Sequence, residues 1–370
     1  MGYVKLYSTW VEIDLESIKE NVRQVVENTK VTVMAIVKAN AYGHGALPVA
    51  KAALSGGASW FGVARVEEAL ELRQAGINRP ILILGYTPPK RYDEMIENDI
   101  SLTVWESEQI DAIAASANKI GKQARLHLKV DTGMSRLGVQ PENASNLANL
   151  ISSSSSLIFE GLFTHFARAD EPDLPTTQQQ TELLMIILEE FNNAGFQPKY
   201  IHAANSAAAL THPSTWFKLL RLGIAMYGLH PSPKVQLSEA FRPALSWKTV
   251  LTQITTVEFS RGVSYGHEFI AQPGNRIGTI PLGYADGFRR IAGNQVLIRG
   301  LKVPVIGRVC MDQSMVLLDS VPEAKVGDEV IVIGKQGENH ILAEDVAKRW
   351  GTINYEVASG IGQRVPRIFI

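Results

Sequence analysis

From residue 31 to about residue 225, short apolar runs rich in β-branched residues alternate with segments of helical period, the pattern of parallel strands joined by helices. Eight such runs stand out: VTVMAIV ending at Val37, SWFGVA at Ala64, PILILG at Gly85, ISLTVW at Trp105, RLHLKV at Val130, LIFEGLFTH at His165, KYIHAA at Ala204 and LLRLGIA at Ala225. Helical patterns between them include Glu67 to Gln74 before Gly76, Ser107 to Ile120 before Gly121, and Thr177 to Asn193 before Gly195. Eight strand-helix units make a (β/α)8 TIM barrel. The serine run Ser152 to Ser156 and the stretch Glu171 to Pro175 read as exposed loops.

Beyond Phe241 the period changes to alternating, turn-punctuated strands such as TVLTQITTVEF, RIGTIPLGYA, VPVIGRV and DEVIVIG, with one late helix near Ala343 to Trp350. The expected fold is therefore α/β, with a barrel over residues 1–240 and a mostly-β domain over 241–370. Neither a solenoid repeat nor a Pro- or Gly-rich linker interrupts the two.

Length agrees with this, since 370 residues make two domains of ordinary size. Thirty-six basic residues against 37 acidic ones leave a net charge of −1, which points away from nucleic acid and anionic membranes as partners. The single cysteine, Cys310, excludes an intrachain disulfide and is too few for a cysteine-based metal site; no metal is expected. Met1 to Asp14 carries early charges and no leader-length apolar core. Leu6 stands where a myristoylation signal has Ser or Thr, and Val31 to Val37 is too short to cross a bilayer. A soluble cytoplasmic protein is expected.

In such a barrel the reactive groups lie at the carboxyl ends of the strands. Lys38 follows the first strand directly, in KANAYGHG, where Gly43 and Gly45 permit close backbone approach to a ligand. A lone lysine is more often a solvated loop residue; at a barrel mouth it is poised for imine chemistry. His165 follows the sixth run and Asn205-Ser206 the seventh, while Arg221 to Ile224 lie in the eighth. Phosphate sites in barrels use the loops of the last two strands, so these residues form a phosphate cradle opposite a lysine. An arginine beside the pyridine nitrogen of pyridoxal 5'-phosphate (PLP) would keep its own proton and leave that nitrogen mostly unprotonated.

The segments MAIVKANAYGHGA, KVDTGMSRLG, HAANSAA, RLGIAMYG, VSYGHEF, PLGYADG and GRVCMDQ resemble the alanine racemase family along essentially the whole chain. The resemblance implies a PLP-dependent isomerase of L- and D-alanine that supplies D-alanine for peptidoglycan. It also implies a homodimer whose active sites borrow residues from the other subunit's C-terminal domain. It makes Lys38 the lysine bonded to the cofactor, and Tyr42, Ser206, Gly223, Ile224 and Tyr355 the phosphate contacts, with Asn205 beside them. Arg221 becomes the partner of the ring nitrogen, supported by His165.

Inverting a stereocentre needs a proton removed from one face and returned to the other. The resemblance assigns Lys38 to the D-face and Tyr265, donated by the other subunit, to the L-face. Lysine and tyrosine ordinarily titrate near 10, so an alkaline optimum is expected. The fork of Arg136 suits the substrate carboxylate; the resemblance adds the Met311 backbone from the partner and a carbamylated Lys129 that orients Arg136. Asp312, Arg308, Tyr284, Asp286, Arg289 and Arg290 read as an entry corridor or a charged surface loop. Serine would enter weakly as an alternative substrate. A barrel-type PLP decarboxylase would need its glycine-run phosphate loop, which is not found here. A non-catalytic PLP carrier would end near residue 230.

Overall fold

The computed structural model describes residues 6–370, so part of the amino-terminal stretch read for a leader lies outside it. Its first strand, β1 (Thr9–Ile13), was not among the expected elements. β1 is antiparallel to β10 (Leu245–Val250) and parallel to β20 (Arg367–Phe369), both near the carboxyl half of the chain. The one charge in the run, Glu12, accepts an ion pair from Lys248 on β10 at 2.8 Å, which lets TWVEI lie within a sheet.

The chain divides into two compact units, one of Glu16–Ala41 with Gly45–Arg242 and one of the residues through Leu15, Tyr42–His44 and Pro243–Ile370. The expected boundary at 240/241 falls two residues from the observed one. The expected barrel, residues 1–240, loses its first strand and Tyr42–His44 to the other unit.

In the larger unit β2 (Thr32–Ile36), β3 (Trp60–Val63), β4 (Ile81–Ile83), β5 (Ile100–Val104), β6 (Ala124–Lys129), β7 (Leu157–Phe163), β8 (Tyr200–His202) and β9 (Leu219–Leu222) form one parallel sheet, with β9 beside β2. Each expected run ends within three residues of its strand. Lys218 N–H donates to Ile201 O and Arg221 N–H to Ala204 O, 3.1 Å each, across the seam between β8 and β9. The strands are almost wholly buried, as expected of a sheet covered on both faces. Helices Ser107–Ile120 and Thr176–Ala194 end at Gly121 (φ 73°) and Gly195 (φ 82°), left-handed positions that glycine takes without strain. The serine run is only partly loop: Ser152 and Ser153 finish helix Ala144–Ser153, and Ser156 is buried.

The second unit is a mixed sheet in the order β11-β14-β17-β16-β15-β18-β10-β1-β20, with β19 on β18 and a separate β12-β13 hairpin. Its further strands are β11 (Gln253–Thr256), β12 (Arg261–Val263), β13 (Phe269–Ala271), β14 (Arg276–Ile280), β15 (Gln295–Ile298), β16 (Leu301–Ile306), β17 (Ser314–Leu317), β18 (Glu329–Gln336) and β19 (Asn339–Ile341). TVLTQITTVEF is two strands, because the chain changes partner: Leu251 N–H donates to Asp328 O beside β18, and Thr252 N–H to Thr279 O on β14. Trp247, Phe288 and Trp350 stack edge to face at 6.1 Å centroid spacings in its core. Helix Ala343–Trp350 is as expected; a second helix, Asn354–Ser359, was not foreseen and carries Tyr355.

Candidate active site

Lys38 leaves β2 into backbone that L-residues avoid. Ala39, Asn40, Ala41 and Tyr42 follow it with φ of 53°, 52°, 53° and 53°, a left-handed run costing about 1–2 kcal/mol per residue. Hydrogen bonds offset that cost. Glu68 accepts from the N–H of Ala39 (2.6 Å), Ala64 (2.7 Å) and Arg65 (3.1 Å), while Asn40 accepts Gly45 N–H at its carbonyl and Ala46 N–H at its side chain. Strain held in place this way at a strand end is characteristic of a working site. The Lys38 side chain is half-buried and has no ion pair among the described residues. Burial and then the charge of Arg136 hold its amine below the ordinary lysine range, with Arg221 adding to the effect and Glu68 opposing it.

On β9, paired with β2, Arg221 is 4% exposed. Its Nη1 donates to the carbonyl (3.2 Å) and Nδ1 (3.0 Å) of His202, and its Nη2 to Thr164 O (2.9 Å), Ala203 O (2.7 Å) and His165 Nδ1 (3.1 Å). Both terminal nitrogens are thus spoken for, and Nε–H alone lacks an acceptor among the described residues. Burial, then Arg136, pushes this guanidinium down to about 9. His165 is held well below its ordinary value by burial and Arg221, so it meets Arg221 as a neutral acceptor.

Lys129 ends β6, 4% exposed and without an ion pair among the described residues. Burial, then the cations Arg221 and Arg136, pushes it to about 8. Arg136 lies on an exposed loop that Asp131 organises by accepting from Gly133, Met134 and Ser135 N–H at 2.9, 2.9 and 3.0 Å. Buried Gln180 ties the start of that loop to the end of β7, donating to Thr132 Oγ1 and His165 O and accepting from Ala167 N–H. Arg136 itself forms no ion pair among the described residues.

Asn205 accepts from Ala208 N–H at 3.0 Å, so its side-chain oxygen is committed to capping helix Ser206–Thr211. Ser206 Oγ accepts from Gly223 N–H at 2.9 Å and Ala225 N–H at 3.4 Å, which brings it to the segment of Gly223 and Ile224 and leaves its own hydrogen to donate. The barrel unit thus gathers Lys38, Lys129, Arg136 and Arg221 into one mutually interacting group, with Glu68 and Asp131 as acidic neighbours. A cationic cluster of this kind suits an anionic ligand bearing phosphate and carboxylate.

The remaining candidates belong to the other unit. Tyr42 and Tyr355 have ring centroids 6.1 Å apart, and burial pushes the Tyr42 hydroxyl up to about 12, keeping it a donor. Close by in the chain, Gly43 at φ 85° is where a Cβ would meet Ala358 O at 2.3 Å. Tyr265 is 68% exposed, between Ser264 (φ 64°) and Gly266 (φ 74°), with Ser264 Oγ–H donating to Arg308 O at 2.6 Å. Met311 is 53% exposed; its carbonyl accepts Ala285 N–H. Of the corridor candidates, Asp286 is buried, accepting from Gly283 N–H and pairing with Arg364, and Arg289 is held by Glu356 and by the Trp350 ring.

Sequence reasoning passed over Glu68, Asp131, Gln180, His127, His202 and Glu160. His127 sits two residues before Lys129 on the same face of β6, a period-2 signal available in RLHLKV. Among the described residues no three His, Cys, Asp or Glu side chains are grouped to hold a metal, and no helix is long and apolar enough to cross a membrane.

The family models for the alanine racemase N-terminal and C-terminal domains match residues 13–231 and 244–369. An alanine racemase of Methanococcus maripaludis is 44% identical over 98% of this chain and 98% of its own length; one of Symbiobacterium thermophilum is 43% identical over 98% and 97%. Among solved structures, the alanine racemase of Bacillus anthracis with bound L-Ala-P superposes with a TM-score of 0.91 at 41% identity, covering 98% of this chain and 95% of that one. That of E. faecalis gives 0.93 at 38% identity with full coverage of both. Matched across both halves, the chain belongs to the alanine racemase family of isomerases.

Proposed function

We propose that the chain interconverts L- and D-alanine with PLP as cofactor, using Lys38 and, from a second copy of the chain, Tyr265 as bases on opposite faces. The observation that carries this reading is Lys38, a half-buried amine at the end of the strand paired with the one that bears Arg221; among the described residues Lys38 has no ion pair and Arg221 has one unused donor. The residues fit the cofactor. Lys38 supplies the amine, Ser206 a hydroxyl hydrogen for the phosphate beside Gly223 and Ile224, and Arg221 a donor that can face only an unprotonated ring nitrogen. The resemblance adds Tyr42 and Tyr355 at the phosphate.

Bound there, PLP acidifies the α-hydrogen of an amino acid joined to it through the amine. Lys38, lowered by burial and Arg136, takes or returns that proton on the D-face. Tyr265, exposed on its turn, does so on the L-face of a partner's site in a homodimer. Arg136 grips the α-carboxylate with a fork that no side chain among the described residues claims, and the partner's Met311 N–H completes the grip. Lys129, with its amine near neutrality, reacts with CO2 to give a carbamate and a proton, which replaces a cation beside Arg136 with an anion. D-Alanine made this way would serve peptidoglycan synthesis, and serine is a slower second substrate.

The test is to reconstitute the purified protein with PLP, reduce it with borohydride, map the modified peptide, and follow alanine by chiral assay. Label on Lys38 with inversion of alanine is expected. A protein that takes up no PLP, or that releases CO2 from an amino acid without inverting it, would overturn the proposal.

A further inference from the structure

Arg221 is a cation sealed among strands, and the carbonyls and imidazoles that hold it carry no charge. A buried guanidinium without a linked anion is costly. The hydrogen bonds leading away from it end on one. Arg221 Nη1 meets His202 Nδ1 at 3.0 Å, His202 Nε2 meets His127 Nδ1 at 2.9 Å, and His127 Nε2 meets Glu160 Oε2 at 3.2 Å. Ser101 Oγ–H donates to that same oxygen at 2.5 Å, and Arg125 stands 3.6 Å from the other. Both rings are fully buried and Glu160 is 8% exposed.

We propose that Glu160 is the buried counter-anion of Arg221, coupled to it through His202 and His127 in a hydrogen-bond chain that can run in one direction only. The ends fix the direction. A guanidinium only donates, so His202 Nδ1 must accept and its proton sits on Nε2; His127 Nδ1 must then accept in turn, and its Nε2–H donates to a carboxylate that only accepts. No other proton arrangement satisfies all three contacts. Both imidazoles are therefore neutral, in agreement with His202 being held well below its ordinary value by burial and Arg221. Burial, the largest effect, would raise the Glu160 carboxyl; its contact with His127, by hydrogen bond and by whatever positive charge that ring carries, then the bond from Ser101 and the charge of Arg125, outweigh burial and hold the carboxyl below its ordinary range.

The strand geometry is built for this contact. Leu126 pairs with Phe159 and His127 with Gly161, so Glu160 is the extra residue of a β-bulge in β7 and is re-aimed by it. Gly161 makes room for the ring: a Cβ there would lie 2.2 Å from His127 Nδ1. Glu160 is a positioning residue. It holds the Arg221 fork with Nε–H free and keeps the proton on the arginine against burial and the charge of Arg136.

The chain's consequence for catalysis rests on Arg221 facing the cofactor ring, but its existence does not, so it is measured with and without PLP. In protein labelled with 15N-histidine, assigned with His127→Asn and His202→Asn, both rings should be neutral with the proton on Nε2 in either state. A ring carrying its proton on Nδ1, or on both nitrogens, at neutral pH would overturn the proposal. Glu160→Gln keeps an oxygen that accepts from His127 and removes only the charge. Two rings and three hydrogen bonds separate the charges by on the order of 12 Å, at which a unit charge in an effective dielectric of about 20 changes acidity about tenfold. Arginine Cζ shifts should therefore show Arg221 about tenfold more acidic in Glu160→Gln, with the two tautomers retained. An unmoved Arg221 midpoint would sink the role assigned to Glu160.

Discussion

Replacing Lys129 with methionine removes an ammonium and keeps the side chain's length and volume. Lys129 is held at about 8 against 10.5 for a free lysine, by burial first and then by Arg221 and Arg136. At about 1.4 kcal/mol per pKa unit, that displacement corresponds to roughly 3 kcal/mol spent on keeping a cation there. An unfolded chain keeps the Lys129 proton up to about 10.5, while the folded chain releases it near 8. Between those values the unfolded state binds more protons, so stability rises with pH across the window, and below about 8 the full penalty is present. In CO2-free buffer, urea unfolding at pH 7 should find Lys129→Met more stable than the parent by about 3 kcal/mol, less whatever the Phe163 ring 5.4 Å from the ammonium returns. The gap should close as pH approaches 10.5, and bicarbonate should close it at neutral pH as the carbamate replaces the cation. A gap of constant size from pH 7 to 10.5, untouched by bicarbonate, would refute this description of the site.

Arg136→Lys keeps the charge but not the fork; KM for alanine should rise about tenfold to a hundredfold with the melting temperature unchanged, and an unchanged KM would remove Arg136 from substrate binding. Gly161→Ala forces a methyl to within 2.2 Å of His127 Nδ1 and should cost about 1–3 kcal/mol in thermal unfolding. A variant that melts like the parent would mean that His127 is not packed as described.

The barrel was legible because its strands are short, apolar and evenly spaced by capped helices, so periodicity and Gly121 or Gly195 gave their ends to within a few residues. β1 was not, since a single five-residue strand has no repeat around it and its pairing with β10 and β20 spans more than 230 residues of chain. The split of TVLTQITTVEF followed from a change of partner strand, which no local pattern encodes. Within the site, Lys38, Arg136 and Arg221 could be read from strand ends and motifs. Glu160 could not: a bulge gives it its direction, and bulges depend on cross-strand register rather than on composition. Nor does the sequence show that the Asn205 oxygen is engaged in a helix cap, which leaves its amide hydrogens as the donors it can offer a phosphate.

Whether Lys38 of one chain and Tyr265 of another complete a single site is read from subunit exchange between Lys38→Ala and Tyr265→Ala homodimers, each expected to be inactive. Random reassortment makes about half of the dimers mixed, each with one of its two sites carrying both native residues, so about one quarter of the parent's racemase activity should return. Mixed dimers confirmed by native mass spectrometry that still fail to racemise alanine would contradict it.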